Sequence, residues 1–119
     1  MPEIKFDREW DKLKPEMFIK GEVFTTLREY TPKKETFYEE NAGKNFDVVL
    51  KGKKIGVAQL VFYEIMRPSD IHLKLLQLDT FSHYFRKDIK LLFKEYYNNP
   101  DPICFYLYFK IIEVYEREE

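Results

Sequence analysis

The sequence predicts a mixed α+β domain in which four or five strands roll into a small barrel with helices beside it. Three observations lead to this prediction. Several segments alternate apolar and polar residues with the period of a strand, and others repeat apolar residues with the period of a helix. A turn at residues 51–54 joins two of the strands, which implies antiparallel pairing. The chain has 119 residues, which is the size of one domain.

The first third of the chain contains two predicted helices and one strand. Phe6, Trp10 and Leu13 follow one another at spacings of four and three, so one or two helical turns are expected before Pro15. Residues 23–30 alternate as a strand. Thr31 and Pro32 then form a typical helix start, with threonine as the N-cap and proline at the first helical position, and this helix is expected to run through residue 40.

The remaining elements are three strands and two helices. Strands are predicted over residues 46–50 and 55–66, on either side of the turn at 51–54, and a long one over residues 103–115. One helix is expected after Pro68 and a second after Arg86. The apolar faces consist of Ile55, Val57, Val61, Tyr63 and Ile65 in the second strand; Ile71, Leu75 and Leu78 in the first helix; Ile89, Leu92, Phe93 and Tyr96 in the second helix; and Ile103, Phe105, Leu107, Phe109 and Ile111 in the last strand.

Composition excludes several classes of protein. Twenty basic and 21 acidic residues give a net charge of −1, so the chain is not a globally basic nucleic-acid binder. Its aromatic content of 18% argues against disorder. No apolar stretch approaches the roughly 20 residues of a membrane span, and the charged N-terminus is unlike a signal peptide, so a cytoplasmic protein without a membrane partner is expected. Abundant Lys and Glu with little Gln are typical of a thermophile.

Cysteine and histidine are too few for a disulfide or for an ordinary zinc site. Cys104 is the one cysteine of the sequence, and it falls within an apolar strand, where a core position is expected. His72 and His83 are the two histidines. The sequence contains no phosphate-binding glycine loop and no nucleophile motif. No cofactor and no metal are therefore predicted.

The first candidate binding feature is one face of the strand over residues 23–30. The period of two places Thr26, Arg28 and Tyr30 on this face. A hydroxyl group, a guanidinium group and a phenol ring are able to hold a phosphate, a base or a carboxylate. An ordinary amphipathic strand with Arg28 paired to a surface glutamate remains the alternative.

The second candidate is the polar, ring-rich stretch between the two last helices. It includes Asp79, Thr80, Phe81, His83 and Tyr84, and loops on a rigid scaffold are common binding sites. His83 would exchange a proton near neutral pH. The alternative is structural, with His83 as a hydrogen-bonded turn residue and Asp79 as a helix cap.

The third candidate is a local cluster of lysines around the hairpin turn. It comprises Lys44, Lys51, Lys53 and Lys54, to which Lys33 and Lys34 are added. Such a cluster would contact a phosphate backbone. Solubility and protection of an edge strand explain the same lysines equally well.

Four segments occurring together resemble the ASCH domain family of the PUA-like superfamily, in particular its short archaeal stand-alone members. The segments are IKFDREWDKLKP (residues 4–15), FTTLREYTP (24–32), GKNFDVVLKGKKIGVAQL (43–60) and DTFSHYFRKDI (79–89). The resemblance implies one ASCH domain over residues 1–119, folded as a small, partly open PUA-like β-barrel of about 5–6 strands with flanking helices. It also implies that RNA or a nucleotide-like ligand binds in a cleft beside the barrel.

The strand motif of that family maps onto Gly21, Thr26 and Arg28, with one departure. The family's usual lysine position is Val23 here. One bacterial branch resembles an amidohydrolase that deacetylates N4-acetylcytidine and uses this lysine. Lys20 is an odd number of residues from Val23, so it would point to the opposite face of the strand. The departure makes binding the favoured function and catalysis the less favoured one.

Three hypotheses follow. In the first, the protein binds RNA or a nucleotide, with Lys20, Lys33, Lys34, Lys51, Lys53 and Lys54 on the nucleic-acid backbone and Thr26, Arg28, Tyr30, Asp79, Thr80, Phe81, His83 and Tyr84 around the ligand. In the second, it hydrolyses an acetylated nucleoside, with Thr26, His83 and Asp79 as catalytic candidates. In the third, the aromatic strand at residues 105–109 supports self-association, with a homodimer as one outcome.

Overall fold

The chain forms a five-stranded mixed sheet that curls into a half-barrel with helices beside it, as the sequence predicts. A computed structural model describes residues 1–77 and 85–117. The strands are β1 (Glu3–Phe6), β2 (Val23–Glu29), β3 (Asn45–Leu50), β4 (Lys53–Met66) and β5 (Cys104–Val114), and the helices are α1 (Pro32–Asn41), α2 (Leu73–Gln77) and α3 (Arg86–Tyr97). Short 3₁₀ turns cover Asp11–Leu13 and Pro68–Asp70.

The sheet has the strand order β1-β3-β4-β5-β2, so β1 and β2 are its two edges. β1 runs parallel to β3, and every other pair is antiparallel. Lys51 and Gly52 join β3 to β4 with φ angles of 51° and 82°, as a two-residue hairpin with left-handed backbone requires. β4 contains irregularities at Val57/Ala58 and at Leu60/Phe62, which let this long strand bend while it pairs with both neighbours.

The concave side of the sheet encloses the main core. Phe46, Leu60, Phe105, Leu107 and Phe109 are fully buried there. Rings pack edge to face or stacked, with 5.3 Å between the centroids of Phe46 and Phe109 and 5.2 Å between those of Phe24 and Phe109. Tyr38 of α1 and Phe18 cover this core from outside the sheet. Much of the aromatic excess of the sequence is accounted for by this packing.

A second, smaller core cluster lies where α3 packs on the sheet. Its buried members are Leu27, Ile71, Ile89, Phe93 and Cys104. The carboxylate of Asp88 accepts a hydrogen bond from the backbone N–H of Phe85 at 3.0 Å, and this contact stabilises the beginning of α3. The helix ends at Asn98, which has the left-handed φ of 54°. α3 is therefore held alongside the edge strand β2.

Several local predictions were wrong. Phe6 belongs to strand β1, and the helical structure near Trp10 is limited to the 3₁₀ turn Asp11–Leu13. Ile71 precedes α2 and is buried outside it. Leu75, predicted on the apolar face of this helix, is 48% exposed because the five-residue helix leaves it on the solvent side, and Leu78 lies outside the described residues. Ile103 precedes β5 and its side chain is 44% exposed, although its carbonyl accepts a hydrogen bond from Tyr30 N–H.

The prediction of one continuous apolar face along residues 55–66 was also wrong in part. Ile55 and Val57 are buried, whereas Val61 and Ile65 are exposed. The two irregularities of β4 change which side chains face the core along the strand. In the described ranges 1–77 and 85–117, no helix is both long and apolar enough to cross a membrane.

Candidate functional site

A cavity of about 770 Å³ lies at the open side of the half-barrel, between the edge strands β1 and β2. α3 borders it on one side and the β3–β4 turn on the other. Its volume is in the range of ordinary small-molecule sites. The described part of its lining comprises Glu3, Lys5, Phe6, Asp7, Arg8, Trp10, Thr26, Leu27, Arg28, Val49, Lys51, Gly52, Leu92, Phe93, Tyr96 and Tyr97.

Arg28 spans the gap between the two edge strands. Its Nη2 donates a hydrogen bond to the backbone carbonyl of Lys5 at 2.7 Å, from β2 across to β1. Its guanidinium carbon lies 4.7 Å from the centroid of the Phe6 ring. The cation–π contact and the hydrogen bond act on the same guanidinium group from two elements. Both contacts restrict the Arg28 side chain before any ligand arrives.

The surroundings of Arg28 disfavour a charge. Burial lowers the pKa of its guanidinium group, and Tyr38, Tyr97 and Asp7 oppose that shift. An arginine nevertheless stays protonated at neutral pH. Lys5, Lys14, Lys54 and Arg117 form the ion pairs of the described residues, and Arg28 has no carboxylate partner among them. The cavity thus contains a positive charge that is compensated only in part.

Aromatic rings and one arginine form the rim of the cavity beside α3. Arg8 lies 5.1 Å from the centroid of the Tyr96 ring and 5.9 Å from that of Trp10. Tyr96 is 47% exposed although it was predicted on the buried face of its helix. An exposed ring next to a cation is suited to stacking on a flat ligand.

The charged residues of the lining favour an anion. Lys5, Arg8, Arg28 and Lys51 are cationic, whereas Glu3 and Asp7 are anionic, so the described lining has an excess of two positive charges. Lys5 and Lys51 are exposed, and Lys5 is paired with Glu3 at 3.9 Å. The lysines therefore lie toward solvent and Arg28 lies deeper.

The structure brings three of the predicted site residues to this cavity: Thr26, Arg28 and Lys51. Tyr30 lies elsewhere. Its hydroxyl donates to Glu35 Oε2 at 2.6 Å and its ring packs on Phe105, so its contacts are those of a core residue. The hydrogen bond to Glu35 raises the pKa of the Tyr30 phenol.

The other lysines that were predicted to contact a nucleic-acid backbone do not line the cavity. Lys34 donates from Nζ to the carbonyl of Glu29 at 3.4 Å, and Lys54 pairs with Asp47 at 3.5 Å. Lys20, Lys33 and Lys53 are exposed. Of the basic cluster around the hairpin, the turn residue Lys51 is the member that reaches the cavity.

The ring-rich stretch between the last two helices falls outside the described residues. This applies to Asp79, Thr80, Phe81, His83 and Tyr84. Their proposed roles around the ligand stay predictions. The hydrolase hypothesis stays one as well, because two of its three catalytic candidates, Asp79 and His83, belong to this stretch.

Val23, where the resemblance to the ASCH family would imply a lysine, is 37% exposed and does not line the cavity. Cys104 is fully buried, and burial raises the pKa of its thiol to about 12, which is the opposite of an activated nucleophile. Across the parts of the chain that the structure describes, no group of three His, Cys, Asp or Glu side chains is arranged to hold a metal ion.

The half of the site contributed by β1, the residues after it and α3 was not predicted from the sequence: Lys5, Phe6, Arg8, Tyr96 and Tyr97. One signal was available, because Ile4 and Phe6 alternate with Glu3 and Lys5 at the period of a strand. The pairing of β1 with β3, more than 40 residues away, leaves no local pattern.

Comparison with protein-family profiles, with curated proteins and with solved structures finds no match to this chain. The resemblance to the ASCH family therefore remains an expectation from the four quoted segments. The cavity itself is the feature from which a function can be inferred.

Proposed function

We propose that the protein binds a nucleotide or a single-stranded segment of RNA in the cavity between β1 and β2. The observation that carries this proposal is the combination, in one cleft, of the exposed Tyr96 ring and an excess of positive charge. A nucleotide has a flat base and an anionic phosphate, so it matches both features.

The rim supports recognition of an unpaired base. Arg8 lies 5.1 Å from the ring centroid of Tyr96 and 5.9 Å from that of Trp10, and Tyr96 is accessible to solvent. A base in a duplex is stacked and paired, so its faces are not available to side chains at the edge of a cavity. We therefore propose a preference for single strands over duplexes.

The net charge of the whole chain does not oppose this function. The protein has a formal charge of −1, but the described cavity lining has an excess of two positive charges. A phosphate responds mainly to charges within about one Debye length, roughly 8–10 Å in physiological salt. The local excess decides the interaction.

The direct test is fluorescence anisotropy with a labelled single-stranded RNA and its duplex, measured over a series of salt concentrations. We expect the single strand to bind more tightly and its affinity to fall steadily as salt rises. Tyr96→Ala removes a stacking surface and is expected to weaken binding roughly fivefold or more.

Each site variant has a control variant at a residue of similar chemistry that lies outside the cavity. Lys51→Ala removes one cation of the lining and is expected to weaken binding. Lys53→Ala is its control, because both are hairpin lysines and Lys51 alone of the two lines the cavity. Phe62→Ala is the control for Tyr96→Ala, because Phe62 is a 41%-exposed ring outside the cavity. No binding at low salt, or equal effects of the site and control variants, would contradict the proposal.

A further inference from the structure

The deepest cation of the cavity is arranged for a particular chemical group. The guanidinium of Arg28 lies over the Phe6 ring, with 4.7 Å between its carbon and the ring centroid, and donates one N–H to the carbonyl of Lys5. Among the described residues, Lys5 is its one hydrogen-bond partner, and Arg28 is absent from their ion pairs. A guanidinium group has several further N–H donors, which are free to point at a ligand.

A partly buried cation without a carboxylate partner costs stability. The hydrogen bond to Lys5 and the contact with Phe6 use only part of its donor capacity, so a cation in this position beside Leu27 indicates a role in binding in addition to the link between the strands. The most favourable occupant beside it is an anion with paired oxygens in a plane, since the forked guanidinium donates two parallel hydrogen bonds to such a group.

The charge of the lining identifies which anion fits. The described residues contribute an excess of two positive charges. A phosphate monoester has a charge of about −2 at neutral pH, whereas the diester within a nucleic-acid chain has about half of that. A phosphate monoester is also the end of its molecule. It can therefore enter the cleft up to Arg28 without a nucleotide chain continuing beyond it.

The position of Arg28 relative to the other groups sets the direction of the ligand. Lys5 and Lys51 are exposed, and Tyr96 lies on the rim, so phosphate enters first and the base remains at the mouth. Thr26, buried two residues before Arg28 on the same face of β2, adds a hydroxyl to the lining.

We infer that Arg28 binds the phosphate monoester of a nucleotide, either free or at the end of an RNA chain. This inference rests on the proposed function and narrows it to phosphorylated ends. It requires that differences in affinity between ligands depend mainly on the terminal phosphate and not on the length of the RNA chain.

The test compares four ligands at fixed salt by isothermal titration calorimetry. They are one short RNA with hydroxyl groups at both ends, the same RNA with a 5′-phosphate, the same RNA with a 3′-phosphate, and a free nucleoside 5′-monophosphate. We expect at least one phosphorylated ligand to bind about tenfold or more tightly than the unphosphorylated RNA, because hydrogen bonds between two charged groups are the strong ones.

Two variants assign the effect to Arg28. Arg28→Gln is expected to abolish the advantage of the phosphate, and Arg28→Lys to retain only part of it, because lysine keeps the charge without the planar fork. Arg67→Gln is the matched control. Arg67 also donates to a backbone carbonyl at 2.7 Å, that of Asp101, but it lies outside the cavity.

Each outcome is decisive. Equal binding of all RNAs by the wild-type protein overturns the inference and leaves the proposed function intact. A phosphate advantage that survives Arg28→Gln overturns the assignment to Arg28. Absence of binding by every ligand at low salt overturns the proposed function as well. Preference for the free nucleotide or for the RNA end supports the inference and identifies the source of the phosphate.

Discussion

Cys104 lies at the start of β5, fully buried in the cluster beneath α3. Burial raises the pKa of its thiol from 9.0 to about 12. The folded protein therefore keeps the thiol protonated under conditions in which the unfolded chain ionises it. This contribution to stability is complete below pH 9 and is lost as the pH rises from 9 toward 12.

We expect the difference in the free energy of unfolding between the wild type and Cys104→Ala to become smaller as the pH rises. At pH 7 the variant should be less stable by about 1–2 kcal/mol, because it leaves a small cavity. As the pH rises beyond 9, the wild type loses the thiol contribution and the variant does not. Urea denaturation at pH 7, 8.5 and 10 measures the difference, and a constant gap over this range would contradict the argument.

At the same scale, the sequence predicted part of the candidate site and missed the rest for a definite reason. Thr26 and Arg28 share one face of a strand, and a period of two is enough to place them together. Lys5 and Tyr96 reach the same cavity only because β1 and α3 border the gap beside β2. That proximity depends on tertiary structure, which no local spacing encodes.

At the scale of the secondary-structure elements, the packing of the strands depends on a few positions where two stretches of backbone come very close. Gly56 of β4 is such a position. A Cβ added there would collide with the carbonyl oxygen of Glu113 on β5 and would lie 2.8 Å from the Phe18 ring. The backbone of Glu113 belongs to a paired strand, so it has little freedom to move away.

We predict that Gly56→Ala lowers the melting temperature by roughly 10 °C, since overpacking of a core costs about 1–3 kcal/mol in a domain of this size. Gly52→Asn is the control. Gly52 has open space around its Cα and a φ of 82°, which asparagine tolerates. Thermal unfolding followed by circular dichroism compares the two. Equal losses in both variants would show that space at Gly56 is not the cause.

Elements with local signals were predicted well, and those without them were not. Helix α1 begins where Thr31 and Pro32 indicate, with the Thr31 hydroxyl accepting from Lys34 N–H at 3.1 Å. The hairpin predicted at residues 51–54 is also confirmed, with the turn itself limited to Lys51 and Gly52 and with Lys53 and Lys54 already in β4. The spacing of Phe6, Trp10 and Leu13 suggested a helix, but pairing of β1 with β3 overrides that weak pattern.

On the scale of the whole molecule, the strands of the half-barrel differ in how many residues pair with a neighbouring strand. β4 and β5 pair over ten residue positions, whereas β1 pairs with β3 over four. β1 is also an edge strand, and its Lys5 carbonyl is bound by a side chain, that of Arg28, instead of by another strand. The cavity thus lies next to the least supported strand of the sheet.

Amide hydrogen exchange should reveal this difference directly. We expect residues 3–6 of β1 to exchange faster than residues 104–114 of β5. Arg28→Met removes the hydrogen bond to Lys5 while keeping a side chain that packs on Phe6, and it should accelerate exchange in β1 roughly tenfold, the equivalent of about 1.5 kcal/mol. Exchange in β5 should change much less, because β5 remains paired with β4 and β2.

Arg67→Met provides the comparison that makes the result specific. Arg67 donates to the carbonyl of Asp101 at 2.7 Å, the same distance and the same kind of bond as between Arg28 and Lys5. It lies at the far end of β4, so its loss should leave exchange in β1 unchanged. If Arg28→Met leaves β1 as protected as in the wild type, the hydrogen bond does not hold the two edges together. If Arg67→Met accelerates β1 equally, the effect reflects global stability and not closure of the barrel.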